Sequence, residues 1–139
     1  MSFHFLGIFA TPSPGLAEIF ADSWPDADVA KLASPFEAVA ARLPERTYDE
    51  SLEIVPAEVI DTVRALSSTQ PDTRFLLLCT ACAVQCWDCG HIIERGDVIA
   101  SFEGEGALSR LVRFFGVDLD AREYFAPLTR DFPWTKLQP

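Results

Sequence analysis

The chain has 139 residues, of which 49% are hydrophobic and 23% charged, and its formal net charge is −10. This length suits one domain with a single core, and the content of aliphatic and aromatic residues excludes a disordered chain. Eleven acidic and three basic side chains precede Thr62, so most of the negative charge belongs to the first half. Such a surface repels phosphate backbones and anionic lipids, which argues against nucleic-acid and membrane partners.

The sequence contains no apolar run long enough to span a bilayer, since the segment Phe75–Val84 has about half the required length. The N-terminal segment Met1–Phe5 has no basic residue before its apolar stretch, unlike a secretory signal. These features predict a cytoplasmic protein. Its cysteines would then be thiols or metal ligands rather than disulfides.

The first half of the chain predicts one strand followed by helices. Residues 3–10 are aromatic and aliphatic and predict a strand. Leu16, Ile19, Phe20 and Trp24 then recur at helical spacing, and a short helical turn is expected through Val29 and Leu32.

A second helix is predicted from a capping box, in which Ser34 is the N-cap, Pro35 the first helical residue and Glu37 the reciprocal acid. Its apolar stripe would comprise Phe36, Val39, Ala40 and Leu43. Pro44 would end it. Pro56 opens a third helix, whose inward residues are predicted to be Val59, Ile60, Val63 and Leu66.

The second half predicts a strand meander and then further helices. Strands are expected near residues 74–82, 84–93 and 97–103, with a hairpin turn at Glu94–Asp97 in which Gly96 takes a positive φ. An amphipathic helix follows, with Leu108, Leu111, Val112 and Phe115 inward and Gly116 at its end. Asp120–Glu123 forms another capping box, and the apolar tail Phe132–Trp134 is expected to pack against the body.

This order of elements predicts an α+β fold comprising residues 1–139 as a single domain. A mostly antiparallel sheet, packed with amphipathic helices, is favoured over a parallel βαβ arrangement because the later strands follow one another without intervening helices.

All four cysteines occur within eleven residues, at Cys79, Cys82, Cys86 and Cys89. The segment 86–90 has the form of a zinc knuckle, and the first two cysteines supply a second pair of thiolates. However, three residues between the pairs leave little chain to turn back towards a shared metal. A zinc site formed by these four cysteines is therefore an alternative interpretation.

The spacing of Cys82, Cys86 and Cys89 also resembles the three-cysteine motif of radical-SAM enzymes, over eight residues. That family needs a barrel of several βα units after the motif, whereas fifty residues follow Cys89. The last cysteine is followed by Gly90 rather than proline, which also differs from the ferredoxin pattern.

The favoured interpretation of the cluster is structural, because the cysteines continue the buried strand that begins at Phe75 and free cysteine behaves as a small hydrophobe. On an extended chain Cys79 and Cys89 share one parity, while Cys82 and Cys86 share the other, so the two pairs would point to opposite faces. A redox variant uses the C-x-x-C formed by Cys86 and Cys89, although the intervening Asp88 would raise a thiolate pKa.

The sequence nominates no catalytic residue, and a non-enzymatic protein is favoured. His4 and His91 have no motif around them, and the glycine turn at Ser101–Ala107 carries Glu103 and Glu105, which would repel phosphate. The acidic first half predicts a protein-interaction, inhibitor-like or immunity-like module that binds a basic partner, on grounds of size and charge. The alternative is a zinc-binding or thiol-redox protein, and no cofactor other than zinc is indicated.

Overall fold

A computed structural model describes residues 3–44, 54–82, 85–118, 125–128, 132 and 134. The strands are β1 (Phe3–Ala10), β2 (Asp28–Leu32), β3 (Ala38–Arg42), β4 (Phe75–Cys82), β5 (Cys86–Glu94) and β6 (Asp97–Glu103). The helices are α1 (Leu16–Ser23), α2 (Ala57–Thr69) and α3 (Ala107–Val112), with 3-10 turns at Arg113–Phe115 and Ala126–Leu128.

The six strands form one sheet in the order β2-β3-β1-β4-β5-β6, and every neighbouring pair is antiparallel. The central strands β1 and β4 are near-continuous apolar runs because both of their faces are covered. The α+β fold predicted from the sequence is confirmed. The sheet has β6 at one edge and β2 at the other.

Helices α1 and α2 cover one face of this sheet, and α3 together with C-terminal residues covers the opposite face. On the face that we call the first, α1 contributes Leu16 and Phe20, and α2 contributes Val59 and Val63. The second face is covered by α3 and by C-terminal residues, namely Leu108, Leu111, Val112, Phe125, Leu128 and Trp134. Alternate residues of the inner strands therefore enter two separate apolar layers.

The predicted helix at Ser34–Leu43 and the helical turn near Val29 are wrong, because these segments form strands β3 and β2. In β3, Val39 and Ala41 pack in the first layer while Ala38 and Ala40 pack in the second. Since both faces are buried, the apolar positions do not alternate with polar ones, and pairing with β1 and β2 outweighs the local helix signal.

The other predicted elements that fall on described residues agree with the structure. The four expected strands are present, with β5 beginning two residues later than predicted, and Arg95 and Gly96 occupy the hairpin turn with φ of 51° and 83°. The inward residues of α2 are confirmed, and Trp134 is buried against Phe5. The Asp120–Glu123 capping box lies outside the described residues.

Candidate functional site

The β4–β5 hairpin carries all four cysteines as two cross-strand pairs. Cys79 lies directly opposite Cys89, and Cys82 lies directly opposite Cys86. The second pair is joined by a disulfide bond, whereas the first pair consists of thiols. Because residues three apart on a strand point to opposite faces, the two pairs lie on opposite sides of the sheet, as their parity predicts.

The Cys79–Cys89 pair is buried in the first apolar layer. A hydrogen bond from the Cys79 side chain lowers the pKa of the Cys89 thiol, and a backbone hydrogen bond from Val55 acts in the same direction. Burial and the carboxylates of Glu103 and Asp88 oppose this shift. The net effect lowers the pKa of the Cys89 thiol from its usual value.

The Cys82–Cys86 disulfide lies at the connected end of the hairpin, where β4 leads into β5, and there Cys86 is exposed and Cys82 is half-buried. The prediction that all four cysteines are core thiols is therefore wrong for this pair. Directly opposed residues at a narrow cross-strand position bring their sulfur atoms within bonding distance, which sequence spacing alone does not reveal.

A cleft of about 390 Å³ opens beside Cys89, between the chain segment that leads into α2 and the edge strand β6. Its lining residues are Ile54, Val55, Ile60, Cys89, His91, Ser101, Phe102 and Glu103. His91 Nδ1 lies 2.7 Å from Ser101 Oγ, and burial lowers the pKa of His91. A second cleft, of about 410 Å³, lies over Leu32 and Ala38 near the other edge and contains no cysteine or histidine.

Exposed large apolar side chains gather around β6. Among the described residues the exposed ones are Ile54 (53% exposed), Ile99 (48%), Trp87 (41%) and Val98 (39%). Val98 and Ile99 belong to β6 itself, and Ile54 lines the cleft beside it. Trp87 packs over Gly104, where an added Cβ would lie 3.3 Å from the indole ring. These four residues lie on β6 or beside it, at one edge of the sheet.

Three exposed carboxylates border this apolar surface, from Asp97, Glu103 and Glu105. Cations near this border make other contacts: Arg64 donates to the carbonyl oxygen of Gly96, Arg95 donates to that of Pro71, and Arg110 stacks on Phe102 at 5.8 Å. We call the four apolar residues together with the three acidic ones the edge surface. It combines exposed apolar area with a negative border.

The edge surface was not predicted from the sequence, which gave no partner-binding residues. One sequence signal favoured an exposed apolar strand, namely the adjacent apolar pair Val98-Ile99 directly after a hairpin turn. When one face of a strand is buried, only alternate residues are covered, so one of two adjacent apolar side chains is left exposed. The structure brings the four predicted metal ligands together as two separate pairs rather than as one group of four cysteines. The part of the chain that the structure describes has no group of three or more His, Cys, Asp or Glu arranged for a metal ion.

No helix among the described residues has the length and apolar character needed to cross a membrane. Comparison of the chain with protein-family models, with curated proteins and with solved structures gave no match.

Proposed function

We propose that this protein is an interaction module that binds a basic protein partner through the edge surface. The observation that carries the proposal is the collection of all four exposed large apolar side chains of the described residues around β6. Scattered surface hydrophobes are ordinary, whereas apolar residues gathered on one patch mark interaction sites.

Charge complementarity favours a basic partner. Asp97, Glu103 and Glu105 border the apolar residues, and the whole chain carries a net charge of −10. A partner with Lys or Arg around an apolar anchor would pair with these carboxylates, be attracted at long range, and exclude acidic competitors. This is the charge pattern expected of an inhibitor-like or immunity-like module that covers a basic surface.

The cleft beside β6 suits a partner's apolar side chain. Ile54 and Ile60 form one wall, and Phe102 lies on the other side with Glu103 beside it. The register shift between Ile92 and Ile93 leaves Ile99 as an extra residue on β6. Such a bulge disfavours edge-to-edge strand pairing. We therefore propose that side chains anchor the partner, and that the partner does not add a seventh strand to the sheet.

A phage-displayed library of random twelve-residue peptides provides a probe that assumes no partner. We expect selected peptides to combine Lys or Arg with aromatic or aliphatic residues, and to lose about tenfold in affinity on Ile99→Lys or Glu103→Lys. Their binding should weaken between about 0.05 M and 0.5 M salt. Glu18→Lys with Asp22→Lys is the matched control, since both carboxylates are exposed on α1 and lie outside the edge surface.

Selection of neutral or acidic peptides, or equal binding by the edge variants and the α1 control, would contradict the proposal. Sedimentation tests whether a second copy of this chain occupies the edge surface instead. If the wild-type protein dimerises and Ile99→Lys renders it monomeric, the edge surface is an interface between copies of this chain, and the proposal is wrong.

A second candidate is thiol-redox or zinc chemistry at the cysteine hairpin, and the two cross-strand cysteine pairs favour the thiol version. Zinc bound by Cys79, Cys82, Cys86 and Cys89 stays a prediction, and it would require reduction of the disulfide and a rearranged hairpin. Metal analysis of protein purified with reductant tests it. About one zinc per chain, lost in Cys79→Ser, supports zinc binding, whereas metal-free protein that remains folded contradicts it.

A further inference from the structure

We infer that Cys79 and Cys89 form a reactive dithiol that a small cationic disulfide oxidises to a second cross-strand disulfide, with Cys89 attacking first and Cys79 resolving. The inference rests on the thiol-redox candidate above and not on the interaction function. It assigns to the pair a modification site, an order of attack and a class of oxidant.

The two side chains are placed to react with one another. Cys79 and Cys89 are directly opposed in the β4–β5 register, and their side chains are joined by a hydrogen bond. Opposed positions in adjacent antiparallel strands hold Cβ atoms about 4.5–5.5 Å apart, so a small adjustment brings the sulfur atoms into bonding distance.

The surroundings distinguish the two thiols. Cys89 lines the cleft beside β6, and Cys79 is not among the residues that line it. A hydrogen bond with the Cys79 side chain and one with the Val55 backbone both lower the pKa of Cys89. Because Cys89 faces the cleft through which a small disulfide would arrive, we assign Cys89 as the first nucleophile, attacking as its thiolate, and Cys79 as the second.

The charge of the cleft selects the oxidant. Glu103 is the cross-strand partner of Cys89 on β6 and lines the same cleft, and the carboxylate of Asp88 also acts on the thiol. An anionic disulfide such as oxidised glutathione is repelled there, whereas an amine-bearing disulfide is attracted. The site therefore takes small disulfides of aminothiols in preference to acidic ones.

The exchange proceeds in two balanced steps. The Cys89 thiolate attacks one sulfur of the small disulfide, forms a mixed disulfide and releases one small thiolate. Cys79 then loses its proton and attacks the Cys89 sulfur, which releases the second small thiolate. Overall, two protein thiols are oxidised to one disulfide while the small disulfide is reduced to two thiols, so no other oxidant is needed.

The test uses the full chain carrying Cys82→Ser and Cys86→Ser, so that only the proposed pair reacts. With cystamine we expect a product lighter by two hydrogen atoms, with Cys79 and Cys89 linked in the peptide map. Adding Cys79→Ser should stop the reaction at one cysteamine adduct on Cys89. Cystamine should react about tenfold faster than oxidised glutathione, and Glu103→Gln should narrow that ratio.

Three results would overturn the inference: first adduct formation at Cys79, unchanged reaction in Cys89→Ser, or equal rates for the cationic and anionic disulfides. If Cys79→Ser does not fold, rapid acid quenching of the parent protein still identifies which cysteine carries the first adduct. Oxidation of the pair by the neutral oxidant diamide, without any preference among small disulfides, would retain the thiol-redox candidate and reject this assignment. Thiols that react only after unfolding would reject both.

Discussion

Thr80 and Asp88 lie directly opposite each other on β4 and β5, and Thr80 Oγ1 donates a 2.7 Å hydrogen bond to Asp88 Oδ1. Both residues are buried. This polar contact lies between the thiol pair and the disulfide along the hairpin. A buried polar group that loses its partner retains its desolvation cost, so the contact contributes to the register of the hairpin.

Thr80→Val should lower the free energy of unfolding by about 1–3 kcal/mol, because it removes the hydroxyl donor from a buried carboxylate without changing the volume greatly. Urea unfolding followed by circular dichroism measures the change. Thr62→Val is the control, since its hydroxyl donates to Glu58 O on the surface of α2 and its loss should cost under about 0.5 kcal/mol. Equal effects of both substitutions would contradict this assignment.

Thiol titration distinguishes the two cysteine pairs. In denaturant without reductant we expect two thiols per chain, and after reduction four, because Cys82 and Cys86 are joined. Replacing both by Ser should cost about 2 kcal/mol of stability, a modest amount because the disulfide closes a short loop. Four thiols without reductant, in protein isolated under air, would show that this disulfide does not form.

Stability should decrease on acidification because of His91. Burial lowers the pKa of His91 from the usual 6.5, so the folded state favours the neutral imidazole. The contribution of the neutral His91 to the free energy of unfolding is complete above pH 6.5 and is lost as the pH falls through the folded-state pKa. Cys89 and Glu103 are the other titratable side chains that line the cleft.

The measurement for His91 is the midpoint of thermal unfolding between pH 7.5 and pH 5, since titration of the imidazole begins to matter near its unfolded value of 6.5. His91→Gln should show a smaller decrease than the wild-type protein over this range. Ser101→Ala is the control, because it removes the 2.7 Å contact with Nδ1 but retains the imidazole. If His91→Gln keeps the full pH dependence, the effect belongs to other groups.

Gly90 is required by close packing on β5. A Cβ at this position would lie 2.6 Å from the carbonyl oxygen of Leu77 and 2.8 Å from Leu111 Cδ1. Gly90→Ala should therefore destabilise the protein by about 1–3 kcal/mol, because the opposing backbone must move. Gly116→Ala is a useful comparison: it meets no atom within 4 Å but has a φ of 78°, so we expect a cost of about 1 kcal/mol. Denaturant midpoints of the two variants separate steric from conformational cost.

The sequence by itself determined the elements whose pattern has a single interpretation. Turn residues between two strand-like segments identified the β5–β6 hairpin with its positive-φ Gly96, and helical spacing identified the buried side of α2. The parity of the four cysteines also predicted that they separate into two pairs. In each case the signal is local, because it depends on the periods of the strand or helix.

Tertiary structure alone decided the strand identity of β3 and the composition of the edge surface. Ala38–Arg42 is a strand because β1 and β2 pair with it and both of its faces are covered, which overrides a capping box that favours a helix. Ile54 lines the cleft beside β6 although a long stretch of chain separates it from that strand. The disulfide likewise depends on the cross-strand register of Cys82 and Cys86. β3 and the edge surface arise from contacts between segments distant in sequence, and local propensity contains no information about which segments will meet. The disulfide joins residues four apart and depends instead on where the hairpin turns.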